Sequence, residues 1–218
     1  SDYDLMTEED ITKVLPRLHA SERMSGLTAD ELYRTAKIPY AFNYIDEDLD
    51  VTHDNDAQGD HGTHVACIAT ANTYVLTKDA DGDLHAARQK NGVVGVAPDA
   101  QVLPMKVFGK GGGAYDSDYM AALEDALLLD CDTVNLSLGS SVSGHTFSDN
   151  DELFASLQNT DTVVTISAGN KFSYAQYNNT GTKMQLTQDT VIDTVGSPGS
   201  FGNAFTIAST DNSGLTGV

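Results

Sequence analysis

His61 and His64 stand three residues apart in the run H-G-T-H-V-A, directly after an acidic stretch that ends at Asp60. The small and apolar residues of H-G-T-H-V-A-C-I-A-T-A predict a helix from His61 to Ala71, and i,i+3 spacing puts both imidazoles on one face of it. Two such histidines could hold zinc, but the glutamate of an H-E-x-x-H site is absent. Proton transfer is the other chemistry open to them. A His at a helix start, between Asp60 and a Gly62 that lets another backbone approach, is placed to act as a general base; a packed or solvated His is the plain alternative.

Three further segments carry residue types suited to a site. Gly109-Lys110-Gly111-Gly112-Gly113-Ala114 follows a predicted strand, precedes a predicted helix and fits the dinucleotide pattern G-x-G-x-x-A. The acidic residue expected at the end of the next strand is missing, because Thr133 to Leu138 runs into Gly139-Ser140 and Asp130 and Asp132 lie at that strand's start. Ser137-Leu138-Gly139 and Ser167-Ala168-Gly169-Asn170 each end an apolar strand in small side chains. They could floor a cleft that an extended backbone enters closely, or simply punctuate a strand. Asn170 could aim its amide N–H at a developing oxyanion.

The elements that must position these residues follow from the pattern. Glu8 to Thr35 reads as two short surface helices, with Ile11, Val14, Leu15 and Leu18 at helical spacing before a break at Ser25-Gly26. Ile38 to Ile45 reads as a strand and Asp46 to Asp60 as a solvated acidic loop. Thr77 to Asn91 reads as a polar insertion, before a strand at Gln101 to Phe108. Tyr115 to Leu129 presents Met120, Leu123, Leu127 and Leu128 on one helical face. Strand Thr133 to Leu138, helix Asp149 to Asn159, strand Thr162 to Ser167 and strand Ala204 to Ser209 complete the order. Alternation of strand and helix implies right-handed crossovers and a parallel sheet covered on both faces, an α/β fold with function at the carboxyl ends of the strands.

Composition narrows the partners. The 218 residues carry 12 Lys+Arg against 32 Asp+Glu, a formal charge of −20, which repels phosphate backbones and anionic lipid surfaces. Nucleic acid and membrane are disfavoured, and a cation such as Ca²⁺ is favoured. Asp79, Asp81 and Asp83 alternate around Gly82, a compact source of hard oxygen ligands for a structural Ca²⁺; a solvated acidic turn is the plain alternative. Cys67 and Cys131 match no metal-binding spacing and read as buried free thiols. No run approaches the roughly 20 apolar residues of a membrane span, and Ser1 opens no basic-then-apolar leader, which suggests a cytosolic protein or a processed piece.

Taken in order, H-G-T-H-V-A, G-V-A-P at Gly95 to Pro98, V-N-L-S-L-G at Val134 to Gly139 and S-A-G-N at Ser167 to Asn170 resemble the subtilisin-like serine proteases, over about Tyr40 to Ser209. V-G-S-P-G-S at Val195 to Ser200 is more similar to the lactocepin-type cell-envelope proteinases. The resemblance implies a three-layer subtilisin-like fold with parallel sheet and helices on both faces, present in part, as residues 37–218 after a polar helical segment 1–36. It implies that His61 is the general base of a Ser-His-Asp triad, that His64 is structural, and that Asn170 donates to the oxyanion. Gly111, Gly112, Gly113 and Tyr115 resemble the segment that pairs with substrate as a strand, and Ser137, Leu138, Gly139 and Ser140 with Ser167, Ala168 and Gly169 resemble the pocket walls for the side chain before the scissile bond. The implied partner is a polypeptide, no cofactor is needed for the chemistry, and the implied location is extracellular, secreted or anchored to the cell wall.

The family's Asp in D-[ST]-G context and its Ser in G-T-S-M-A do not occur in the sequence. The chain therefore resembles the middle of a protease domain. Alone it is expected to be inactive, with apolar faces that favour a complementary chain or self-association. The rivals are an NAD-dependent Rossmann-type oxidoreductase and a catalytically dead binding domain derived from a protease.

Overall fold

A computed structural model describes residues 5–55, 57–78, 84–90, 92–139, 149–169 and 196–208, and the chain divides into two units, Ser1–Leu129 and Asp130–Val218. No described helix is long and apolar enough to cross a membrane.

In the first unit, helix α1 (Glu8–Val14) starts at Thr7, whose N–H and hydroxyl both donate to the Asp10 carboxylate (2.9 and 2.7 Å). These bonds, with Lys13, hold the Asp10 carboxyl down at about 2. A 3₁₀ turn at Leu15–Arg17 leads to α2 (His19–Arg23), and α3 (Ala29–Leu32) is capped by Thr28 and Glu31 in the same reciprocal way. Ile11, Leu18 and Leu32 are fully buried, so these helices are amphipathic and contribute to a core.

The strand expectations at Ile38 to Ile45 and Gln101 to Phe108 shrink to β1 (Phe42–Asn43) and β4 (Met105–Lys106), paired in parallel. Pro39 and Pro104 lack N–H groups, which limits the ladder, although the Pro104 carbonyl still accepts from Phe42 N–H (3.2 Å). Between them lie α4 (His61–Thr70), β2 (Tyr74–Lys78) and β3 (Leu84–Arg88). The last two form an antiparallel hairpin with Lys78 opposite Leu84, which corrects the polar-insertion reading of Thr77 to Asn91. Tyr74-Val75-Leu76-Thr77 is a run of β-formers, and starting that reading at Thr77 cut it in two.

Helix α5 (Asp116–Leu128) buries Tyr119, Ala121, Ala122, Leu123 and Ala126. It also buries Asp125, which is 0 % exposed and accepts from the His19 and Ala20 N–H groups at the start of α2 (2.8 and 3.1 Å) and from the Tyr44 hydroxyl (2.8 Å). Burial raises its carboxyl above the usual range, against the pull of these donors and of His19. One carboxylate thus serves as a cap supplied by another helix. Nearby, Arg23 bonds Asp118 (2.7 Å) and lies over the Tyr44 ring.

In the second unit, β5 (Thr133–Leu136), β6 (Val163–Ser167) and β7 (Phe205–Ile207) pair in parallel in the order β5-β6-β7. Helix α6 (Asp149–Ser156) continues into a 3₁₀ turn, Leu157–Asn159. Leu153, Phe154, Leu157, Leu136, Val164, Ile166 and Phe201 are buried, with Phe154 stacked on Phe201 at 5.0 Å between centroids. The mixed α/β class with parallel pairing is as the sequence predicts. Cys67 and Cys131 are free thiols, as expected, but Cys67 is exposed and Cys131 half-buried, against the predicted burial of both. Burial, helped by Asp132 and Asp130, pushes the Cys131 thiol up to about 12.

Candidate active site

His61 is the first residue of α4. Asp60 precedes it, giving its carbonyl to the His64 N–H (2.9 Å) while its carboxylate is taken up by His53 Nδ1 (3.2 Å). His61 and His64 are both exposed, and among the described residues the His61 ring has no hydrogen-bond partner. The G-V-A-P segment lies along the far end of the helix: Gly95, Val96 and Ala97 donate to the carbonyls of Ala71, Ile68 and Ala69 (2.8, 3.0 and 2.8 Å). A Cβ on Gly95 would sit 2.6 Å from the Ala71 nitrogen, so the motif needs its glycine to approach.

The acidic loop that leads to His61 is folded around Asn43, which is fully buried. The Asn43 amide donates to Asp46 Oδ2 and Asp48 Oδ1 (both 3.1 Å) and to the Asp50 carbonyl (3.0 Å), and its oxygen accepts from Asp46 N–H (3.1 Å). The early part of this loop is therefore an organised turn.

Gly109 is buried where β4 runs out, with the Asp46 carboxylate 3.0 Å from where a Cβ would be. A turn closed by Gly112 N–H on the Gly109 carbonyl (2.9 Å) then brings the chain past the residues before His61. Gln58 Nε2 donates to the Gly112 carbonyl (3.1 Å). Tyr115, 71 % exposed, caps α5, whose first turn carries Asp116 and Asp118. Two carboxylates at a helix start oppose a phosphate there, so the G-x-G-x-x-A letters gain no support as a dinucleotide site.

In the second unit the two small-residue strand ends meet. Ser167 Oγ donates to the Leu138 carbonyl (3.0 Å), Asn135 Nδ2 to Ser137 Oγ (2.9 Å), and Ala168 N–H to the Ile207 carbonyl (2.9 Å). Gly169 has φ +98°, a conformation that favours glycine. The segment from Gly196 returns over both ends: Gly196 N–H donates to the Ala168 carbonyl (3.2 Å), and a Cβ on Gly139 would stand 3.3 Å from the Ser197 carbonyl oxygen. Asn170, Ser140, Asp79, Asp81 and Asp83 lie outside the described residues.

Sequence reasoning missed two contributors. The V-G-S-P-G-S letters, which carried family resemblance, also mark a segment that from Gly196 on covers the strand ends. Gln58 had no local signal, since its partner is 54 positions away.

The sequence pattern of the subtilase family matches residues 25–216. The chain is 35 % identical over 205 residues, 88 % of its length, to a PII-type proteinase of Lacticaseibacillus paracasei, and 36 % identical over 205 residues to a PI-type proteinase of Lactococcus lactis subsp. cremoris. It is 34 % identical over 107 residues, 47 % of its length, to the minor extracellular protease Vpr of Bacillus subtilis. The chain spans about a tenth of the length of each of these relatives. With the histidine motif, both strand-end motifs and the returning V-G-S-P-G-S segment all inside the matched residues, this chain belongs to the subtilase family, on its lactocepin-type branch.

Proposed function

We propose that the full-length protein carrying these residues is a serine endopeptidase acting through a Ser-His-Asp triad. The observation that carries the reading is the placement of His61 at the open start of α4, one turn of chain after residues that touch the glycine segment. In this reading His61 takes the proton from a serine hydroxyl as it attacks the peptide carbonyl, and returns it to the leaving amine. Asn170 donates to the oxyanion, Gly111 to Gly113 with Tyr115 pair with the substrate backbone, and Ser137 to Ser140 with Ser167 to Gly169 wall the side-chain pocket. The substrate is a polypeptide, and the site of action is outside the cell, a location that the name of the Bacillus relative supports.

The triad's Asp and Ser are assigned to residues beyond these 218, since neither family motif is among them. The 218-residue chain by itself is expected to be inactive, because a lone imidazole has neither nucleophile nor orienting carboxylate. Ile68, Val93, Val94 and Val96 in the first unit, and Phe205 and Ile207 in the second, are all more than half exposed. Surfaces of this kind favour self-association or a complementary chain. Fluorophosphonate labelling tests both levels: the full-length protein should react, and the 218-residue chain should not. A full-length protein that folds and binds peptides without reacting would instead be a catalytically dead binding domain.

A structural Ca²⁺ is proposed at Asp79, Asp81 and Asp83. These residues fall in the connection between β2 and β3, closed by the pairing of Lys78 with Leu84. Carboxylates are the donor type that calcium takes. Calorimetry is expected to show weaker Ca²⁺ binding for Asp81→Ala than for the wild type, and equal affinities would remove the site.

A further inference from the structure

Of Gly111 to Gly113, Gly112 is the one whose backbone is tied to other described residues. Its N–H closes the turn on the Gly109 carbonyl (2.9 Å), and its own carbonyl accepts from Gln58 Nε2 (3.1 Å). Ala57 backs the same residue: a Cβ on Gly112 would lie 3.1 Å from the Ala57 Cβ, and φ +75° already restricts the position to glycine. Gly111 and Gly113 face the other way in this respect. A Cβ on either would meet nothing within 4 Å, and among the described residues their backbone groups have no hydrogen-bond partner.

Using up both of Gly112's groups leaves those of its two neighbours available. They flank the turn residue Gly112 and are both exposed, so a bound peptide backbone can reach them. Three consecutive glycines are also the costliest sequence to hold in one conformation, because glycine loses more backbone freedom on ordering than any other residue. An anchor on the middle carbonyl lowers the ordering cost that a bound peptide would otherwise meet.

We propose that Gln58 is a positioning residue for extended peptide substrates: by holding the Gly112 carbonyl it fixes the conformation in which Gly111 and Gly113 meet the peptide backbone. The inference rests on the peptidase reading and adds to it a residue acting through the glycine segment. In this proposal the glycine segment takes residues ahead of the scissile bond, so Gln58 matters for long substrates and not for short ones.

The test uses the full-length protein and a substrate series, from a single acylated amino-acid ester to peptides with four residues before the scissile bond. Gln58→Ala, and Gln58→Glu, which keeps the shape but removes the donor, should each raise KM for the four-residue substrate about tenfold with kcat within about twofold. The single-residue ester should be turned over as by the wild type, and the thermal midpoint should stay within a few degrees. Equal losses on short and long substrates, or no loss on either, would overturn the proposal. If the full-length protein hydrolyses none of the series, the peptidase reading fails separately. Fluorescence anisotropy of the same peptides, labelled, then decides on Gln58: weaker binding of only the long peptide by Gln58→Glu supports it, and no length-dependent difference rejects it.

Discussion

His61→Ala in the full-length protein is expected to lower kcat for peptide hydrolysis by on the order of 10⁴-fold or more, leaving only what oxyanion stabilisation and binding contribute. KM should change little, because the imidazole moves a proton and does not hold the peptide. His64→Ala is the control on the same helix. His64 is exposed and contributes its backbone N–H to the Asp60 carbonyl, a bond that survives the substitution, so its turnover should stay within about an order of magnitude of the wild type. Steady-state kinetics on a chromogenic peptide separate the two. Near-wild-type turnover by the His61 variant would remove the assigned base.

The motif that holds both histidines was legible in the sequence through order and context. The helix they open was legible too, and so were α5, whose apolar residues recur at helical spacing, and β5 and β6, which are short apolar runs ending in glycine. Contacts between distant residues were not legible. The ends of β1 and β4 depend on where Pro39 and Pro104 interrupt pairing, which a count of β-formers does not reveal. The acidic stretch after β1 reads as solvated turn because its letters are polar, yet the buried amide of Asn43 gathers three of its residues. Cys67 is an apolar letter in an apolar helix, but that helix buries no residue. Gln58 and the Gly196 return act over long sequence distances and have no periodic signal at all.

Asp125 shows how much can rest on one such contact. Asp125→Ala is expected to destabilise the fold by about 3 kcal/mol, because it leaves the two N-terminal amides of α2 and the Tyr44 hydroxyl without the fully buried acceptor they share. Thermal unfolding should register this as a drop of roughly 6–12 °C. Its neighbour in sequence supplies the comparison. Glu124 bonds His19 from a side chain that is 42 % exposed, and Glu124→Ala should cost under about 1 kcal/mol. Similar shifts for the two variants would show that the buried carboxylate is not the tie between α2 and α5.

The order β5-β6-β7 also bears on how fast the second unit can form. Thr133 meets Val163 and Thr165 meets Phe205, so each pairing must wait for a loop of about thirty to forty residues to close before any ladder bond repays the lost chain entropy. Neither join can be nucleated by a tight hairpin, as the β2–β3 pair can. During synthesis β5 waits unpaired for β6, and β6 then keeps one edge open until Phe205–Ile207 leaves the ribosome, an interval in which the nascent chain is most exposed to pairing with the wrong strand.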